Sequence, residues 1–131
     1  MMKAAKEALD LGILVSDIDA SLKFYQQTLG LEKVGETKLP FGLMHRLSFG
    51  NSFFKLIDPK KVPPKGSTGL TAQLGFRYVT FQVSNLTEIC KALKDKGVAF
   101  SLPETELMPG VRIAMVEDPD GNIVEFVQRD V

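Results

Sequence analysis

The sequence predicts an α+β fold made of two β-α-β-β-β modules, one in each half of the 131-residue chain. Two observations carry this prediction. First, Val15-Ser16-Asp17-Ile18 has a counterpart in Val83-Ser84-Asn85-Leu86, and Leu29-Gly30-Leu31 has one in Lys96-Gly97-Val98. Second, a stretch rich in Pro and Gly, residues 59–75, divides the chain nearly in the middle. Repetition at a fixed spacing is itself a fold signal, and here it implies two modules related by a pseudo-twofold axis.

The first half contains the signals of one complete module. An apolar stretch from Leu11 to Val15 predicts a covered strand, and Ser16-Asp17 then offers an N-cap. The helix that follows ends at Gly30 and carries four apolar residues on one face: Ile18, Leu22, Tyr25 and Leu29. Strands are predicted at residues 31–37, 43–49 and 52–57, and Gly50-Asn51 suits a tight turn between the last two.

This turn sets the register of the hairpin and therefore the face on which each side chain lies. If Phe49 faces Ser52, then Arg46 faces Lys55, and alternation separates two faces. One face, predicted to pack against helices, carries Leu47, Phe49, Phe54 and Leu56. The other face is mixed, as in a ligand cavity, and carries Met44, Arg46, Ser48, Phe53, Lys55 and Ile57. The only histidine, His45, falls on the face opposite Lys55, which favours a structural role.

The second half repeats the same pattern of elements. A strand is predicted at residues 78–83 and a helix from Asn85 to Gly97, where Asn85-Leu86-Thr87-Glu88 resembles a capping box. A strand resumes at residues 98–102. Near the end, Asp118-Pro119-Asp120-Gly121 predicts a turn that leads into the strand Ile123–Val127. That strand carries one carboxylate, Glu125, which needs a partner or a wet cavity and is therefore the first candidate for a functional residue.

Composition limits the class of protein. With 44% hydrophobic residues the chain can form one domain, and 16 basic and 16 acidic residues give no charge that would favour nucleic acid or a membrane surface. No signal peptide or membrane span is visible, so a cytoplasmic protein is expected. Residues 1–9 are predicted as an N-terminal arm, and residues 10–131 as a single domain with modules 10–58 and 76–128 and linker 59–75. Cys90 lies at helical spacing with apolar residues and is expected to be buried.

Two motifs resemble those of the vicinal oxygen chelate superfamily, which includes glyoxalase I-like isomerases, extradiol dioxygenases and bleomycin-binding resistance proteins. The first runs from Leu14 to Tyr25 and the second from Asp118 to Phe126. The resemblance covers residues 10–128. It implies that the modules form a cupped mixed sheet with helices on the outer face, and that the protein is a homodimer.

The resemblance also implies where a metal ion would lie. In metal-using members, four side chains converge in the cup, and their positions fall here on Asp10, Lys55, Tyr78 and Glu125. Only Glu125 matches the usual choice of His or Glu. Because an ammonium has no lone pair to give, Lys55 argues strongly against a metal ion. If a metal ion such as Zn, Ni, Mn or Fe is bound after all, Glu125 and Asp10 are the expected ligands.

We therefore expect no cofactor, with the Lys55 ammonium in the place of the ion between the carboxylates of Asp10 and Glu125. The Tyr78 hydroxyl would complete the hydrogen bonds, and a dry cup would require either Arg46 in the cluster or a proton on one of the two acids. Together with Phe53 these side chains are the predicted ligand-binding residues. No activated nucleophile is visible, so any catalysis would fall to Glu125 or Asp10 as acid–base groups, and Tyr78 is the second predicted catalytic residue beside Glu125.

Three functions remain open at this point. The first is a metal-independent protein that binds a small, partly apolar molecule, which could carry an anionic group. The second is a metal-dependent lyase, isomerase or dioxygenase that acts on vicinal oxygens. The third is an accessory module that has lost its pocket. A second copy of the chain is an expected partner in each case, and a small molecule is expected in the first two.

Overall fold

The computed structural model describes residues 1–130, and their elements confirm the predicted module repeat. The first module runs β1 (Leu11–Leu14), α1 (Ile18–Leu22), β2 (Glu32–Leu39), β3 (Gly42–Phe49), β4 (Ser52–Pro59). The second runs β5 (Tyr78–Gln82), α2 (Leu86–Asp95), β6 (Phe100–Met108), β7 (Val111–Glu117), β8 (Ile123–Arg129). Each module forms a four-stranded mixed sheet, with strand orders β1-β4-β3-β2 and β5-β8-β7-β6. The same order recurs in both, so the fold class is α+β as predicted.

The described residues form two compact units, one from Met1 to Pro64 and the other beginning at Lys65. In each unit the last strand pairs in parallel with the first and antiparallel with the third. Parallel pairing needs a long crossover connection, which the helix and the two other strands of the module supply. This arrangement places β4 and β8 inside their sheets, where their side chains have neighbours on both sides.

The hairpin β3–β4 has the predicted register. Phe49 pairs with Ser52, and Arg46 pairs with Lys55. Leu47, Phe54 and Leu56 are buried as expected from alternation. Phe49, beside the turn, is 36% exposed and so is less buried than the other three.

The first helix departs from the predicted pattern after one turn. Asp17 caps α1 by accepting a hydrogen bond from the Ala20 amide at 3.2 Å. Beyond Leu22 the helix widens into a π-helix over Lys23–Thr28, in which the Leu29 amide donates to the Phe24 carbonyl five residues back. A wider turn rotates the side chains relative to a regular α-helix. Phe24 and Tyr25 lie in this wider segment, and both are buried.

The N-terminus of α2 is not closed by the predicted capping box. The Asn85 side chain makes no hydrogen bond to the helix backbone and donates instead to the Glu88 carboxylate at 3.2 Å. The Leu86 amide donates to the Gln128 side-chain oxygen at 2.8 Å, so the cap comes from β8. Leu86, Cys90 and Leu93 are buried on the inner side of the helix, as the apolar spacing predicted for Cys90. Burial of a leucine side chain contributes about 2 kcal/mol, which stabilises the contact of α2 with its sheet.

The segment 65–77 packs on the turn that precedes β8. Arg77 donates to the carbonyl oxygens of Ser67 and Gly69 at 3.3 and 3.2 Å. The Thr68 side chain lies so close to Gly121 that a Cβ at that glycine would be 2.9 Å from Thr68 Cγ2. Within this turn the buried Asp118 carboxylate accepts two backbone hydrogen bonds and one from the Asn122 side chain. The turn is therefore held from inside by Asp118 and covered from outside by Thr68.

Candidate functional site

The first unit brings four of the predicted site residues together on the mixed face of its sheet. Arg46 and Lys55 are direct partners across the β3–β4 hairpin, and Phe53 precedes Lys55 by two residues. Alternation places all three side chains on the same side of the sheet. Each is partly buried. Asp10 reaches this group from the residue before β1, since β1 is the parallel neighbour of β4.

The Asp10 carboxylate is the only acid in direct contact with this group among residues 1–130. Its Oδ1 accepts a hydrogen bond from the Phe53 amide at 3.0 Å and one from the Lys6 ammonium at 2.9 Å. Its Oδ2 lies 3.9 Å from the Lys55 ammonium. The Lys6 hydrogen bond, followed by that of the Phe53 amide, lowers the pKa of Asp10 below its usual value. Asp10 is therefore a carboxylate at neutral pH and carries the one negative charge of the cluster.

Arg46 differs from the lysines in having no acidic partner among the described residues. Its Cζ lies 5.1 Å from the centroid of the Phe53 ring, a distance typical of a cation–π contact. Its Nε is buried and makes no hydrogen bond. The guanidinium lies against Gly35 of β2, where a Cβ would be 3.1 Å from Nη2, so the missing side chain makes room for it. A buried donor without an acceptor is costly, and an oxyanion would satisfy it.

The second unit carries the other two predicted site residues. Glu125 is partly buried in β8 between Thr80 of β5 and Met115 of β7, its direct partners in the sheet. Its Oε1 accepts a hydrogen bond from the Thr80 hydroxyl at 2.6 Å. Tyr78 lies two residues before Thr80 and so on the same side of the sheet, but it pairs with Ile123 and is 55% exposed. In this unit the carboxylate is thus held by a hydroxyl group and not by a cation.

Two residues of this arrangement were missed by the reasoning from sequence. Lys6 lies in the arm, which has no regular helix or strand, so its contact with Asp10 follows no periodic pattern. The signal was the four-residue spacing of Lys6 and Asp10. Thr80 was missed because its contact with Glu125 depends on parallel pairing of strands 45 residues apart. The predicted alternation of β5 places Thr80 on the face of Tyr78, and this could have revealed it.

His45 and Cys90 lie outside both groups. His45 is buried on the face opposite Lys55, as predicted, and pairs with Leu56 across the hairpin. Burial lowers its pKa, and its Nδ1 lies 3.5 Å from a Glu36 oxygen without forming a hydrogen bond. Burial raises the pKa of the Cys90 thiol. A neutral imidazole and a neutral thiol in the interior act as packing groups.

The residues at the four positions implied for a metal ion do not fit a divalent ion. Asp10 is engaged by Lys6 and by a backbone amide, and the Lys55 ammonium next to it repels a cation and offers no lone pair. Of these four residues only Asp10 and Glu125 have side chains that divalent metals commonly accept. Within residues 1–130, no group of three or more His, Cys, Asp or Glu side chains is arranged to hold an ion. No helix in this part of the chain is long and apolar enough to cross a membrane.

The duplicated β-α-β-β-β module places the chain among proteins built from two repeated α+β modules. The family model described as Glyoxalase/Bleomycin resistance protein/Dioxygenase superfamily matches residues 8–126. The chain belongs to this superfamily, as the two sequence motifs had indicated.

Comparisons with individual proteins agree with this assignment. The chain is 27% identical over 119 residues to a protein of Synechocystis sp. named as a probable lactoylglutathione lyase, covering 88% of this chain and 90% of that one. The crystal structure of SMU.1112c superposes with a TM-score of 0.81 at 23% identity, covering 95% of this chain and 99% of that one. TnmS3, an antibiotic binding protein from a Streptomyces species, superposes with a TM-score of 0.73 at 23% identity, covering 98% and 100%. At these identities the two superpositions show a shared fold.

Proposed function

We propose that this chain is a metal-independent member of the superfamily that binds a small, partly apolar, anionic molecule through Arg46 and Lys55. The observation that carries the proposal is the unpaired guanidinium of Arg46, whose Nε is buried without an acceptor. Lys55, its direct partner across the hairpin, adds a second positive charge. A planar guanidinium binds carboxylate or phosphate oxygens through two parallel hydrogen bonds, and Lys55 adds a point charge beside them.

The surroundings of Arg46 support a ligand with an apolar part. Met44 and Ile57 continue the same face of the hairpin beyond Arg46 and Lys55, and they are direct partners of each other. Ile57 is buried and Met44 partly buried. An anionic group at Arg46 could therefore extend an apolar body along these side chains. The antibiotic binding protein with the same fold shows that such a scaffold can hold a small molecule.

The proposal makes the ligand's charge the decisive variable. Protein labelled with ¹⁵N is titrated with phenylacetate, an aromatic carboxylate, and with phenylacetamide, its neutral counterpart. We expect saturable movement of the Arg46 Nε–H resonance with phenylacetate and none with phenylacetamide. Calorimetry should show that Arg46→Gln abolishes the binding of phenylacetate, whereas Arg129→Gln, at an exposed arginine of the second unit, serves as the matched control. Equal shifts with both compounds, or no binding of any anionic probe at millimolar concentration, would refute the anion site.

A second candidate function is a metal-dependent lyase, isomerase or dioxygenase, and the similarity to the probable lactoylglutathione lyase favours it. In this case Asp10 and Glu125 would be the ligands, and Lys55 would have to be displaced. Titration of the purified protein with Zn²⁺, Ni²⁺, Mn²⁺ and Fe²⁺ separates the two functions. Tight stoichiometric binding that Glu125→Gln abolishes would establish the metal-dependent protein and overturn our proposal.

A further inference from the structure

The N-terminal arm contributes a third cation to the group around Arg46. Lys6 Nζ donates to Asp10 Oδ1 at 2.9 Å and to the Asn51 carbonyl oxygen at 3.1 Å. It also lies 4.4 Å from the centroid of the Phe53 ring, the same ring that Arg46 contacts. These three contacts tie an arm without regular structure to one position. We call Lys6, Arg46, Lys55 and Asp10 the charged cluster.

The arm changes the charge of this cluster. Three cations and one carboxylate give a net charge of +2, and without Lys6 the net charge is +1. Asp10 is shared, since Oδ1 accepts from Lys6 and Oδ2 faces Lys55. One carboxylate leaves the three cations with an excess of two positive charges, and an oxyanion with two negative charges balances that excess.

We infer that Lys6 is a specificity-determining residue that makes the site prefer an oxyanion with two negative charges over one with a single charge. The inference rests on the proposed function, because Arg46 and Lys55 must first bind an anion. The chemical class is a compact dianion, either a phosphate monoester or a dicarboxylate, carried by a partly apolar body. Lys6 contributes its charge while it stays bonded to Asp10 and Asn51, since an ammonium has three donor hydrogens and these two contacts use two of them.

Phe53 explains how the cations are held close together without a bound ligand. Its ring is contacted by the Lys6 ammonium and by the Arg46 guanidinium, and each cation is attracted to the electron-rich face of an aromatic ring. The ring therefore offsets part of the repulsion between two like charges. By this reasoning Phe53 positions the cations, and the ligand contacts the cations themselves.

The test compares two probes that have nearly the same shape and differ in charge. At about pH 8 phenyl phosphate carries two negative charges, because the second pKa of a phosphate monoester is about 6, whereas phenyl sulfate carries one. Phenylmalonate serves as the dicarboxylate. Affinities are measured by calorimetry for the wild-type protein and for Lys6→Gln, with Lys3→Gln, at another exposed lysine of the arm, as the matched control. Arg46→Gln tests the underlying site.

We expect wild-type protein to bind phenyl phosphate about tenfold more tightly than phenyl sulfate, which is the scale of one hydrogen bond to a charged group. Lys6→Gln should weaken the binding of phenyl phosphate by about tenfold and the binding of phenyl sulfate much less. Lys3→Gln should change neither affinity. If the protein binds phenylmalonate but not phenyl phosphate, and Lys6→Gln weakens that binding, the preferred dianion is a dicarboxylate. Circular dichroism of each variant checks that the fold is retained.

The contrary results separate the two claims. If Arg46→Gln loses phenyl phosphate but Lys6→Gln binds it as tightly as wild type, the role of Lys6 is overturned and the anion site stands. Equal weakening of both probes by Lys6→Gln, or equal affinity of wild-type protein for them, also overturns the charge selectivity. If wild-type protein binds phenylacetate but no dianion, only this inference fails. If it binds no anion at all, the proposed function fails with it.

Discussion

The contact between Thr68 and Gly121 predicts that an alanine at position 121 destabilises the protein for two separable reasons. Gly121 has φ +84°, a left-handed conformation that costs any other residue roughly 1–2 kcal/mol. The added Cβ would also lie 2.9 Å from Thr68 Cγ2 and 3.2 Å from Thr68 Cβ. Overpacking of this kind costs about 1–3 kcal/mol when the neighbour cannot move. The sum predicts a loss of about 2 to 5 kcal/mol in the free energy of unfolding.

Gly97 provides the matched control. It has φ +74°, and a Cβ there would meet no atom within 4 Å, so Gly97→Ala introduces conformational strain alone. The free energy of unfolding is measured by urea denaturation for both alanine variants, for Thr68→Gly and for the Gly121→Ala, Thr68→Gly pair. We expect Gly121→Ala to lose about 1–3 kcal/mol more free energy of unfolding than Gly97→Ala. In the double variant, Thr68→Gly should restore this additional loss. If the two alanine variants cost the same and Thr68→Gly recovers nothing, segment 65–77 does not press on the turn.

Three further predictions follow from other contacts. Gly42→Ala should cost several kcal/mol in urea denaturation, because its Cβ would lie 2.3 Å from the Asp58 carbonyl oxygen, which belongs to the backbone of the paired strand; a loss near that of Gly97→Ala would contradict this. Because the pKa of His45 is lowered in the folded protein, the unfolded chain binds a proton at this residue more readily. The contribution of His45 to the free energy of unfolding is therefore complete above about pH 6.5 and is lost as the pH falls through that value. His45→Leu should therefore reduce the fall in urea midpoint between about pH 7.5 and 5.5, and an unchanged fall would show that another group is responsible. Arg112→Met should cost about 1 kcal/mol, because its guanidinium donates to Glu104 at 2.6 Å and to Thr87 at 3.0 Å in a group that is only partly exposed; Arg129→Met, at an exposed position, should cost less.

The parts of the fold that sequence predicted correctly depend on local signals. Gly50-Asn51 fixed the hairpin, and once the turn was placed, alternation assigned Arg46 and Lys55 to one face and His45 to the other. The module repeat predicted that both halves carry the same elements in the same sequence. These signals act over a few residues or recur at a fixed spacing, so they are visible without coordinates.

The parts that sequence reasoning missed depend on distant residues or irregular backbone. The cap of α2 comes from Gln128, 42 residues away, while the local capping pattern at Asn85 is not used. The hydroxyl that holds the Glu125 carboxylate comes from Thr80, across a parallel strand pair. The helix changes to a π-helix over Lys23–Thr28, and no local pattern in the sequence predicted this change. Lys6 reaches Asp10 from an arm without periodicity.

The two modules carry opposite charges at one pair of equivalent positions. Lys55 and Glu125 occupy corresponding positions in β4 and β8, yet one faces a carboxylate and the other a hydroxyl. A metal ion attracts an oxygen-rich ligand by its charge and also accepts its lone pairs, which activates the ligand. Guanidinium and ammonium groups supply the charge and donate hydrogen bonds, but they accept no lone pair. If Arg46 and Lys55 hold the ligand, they retain binding without the activation that an ion supplies. Selectivity among anions then depends on how many cations face the ligand, and the third cation, Lys6, comes from outside the repeated modules.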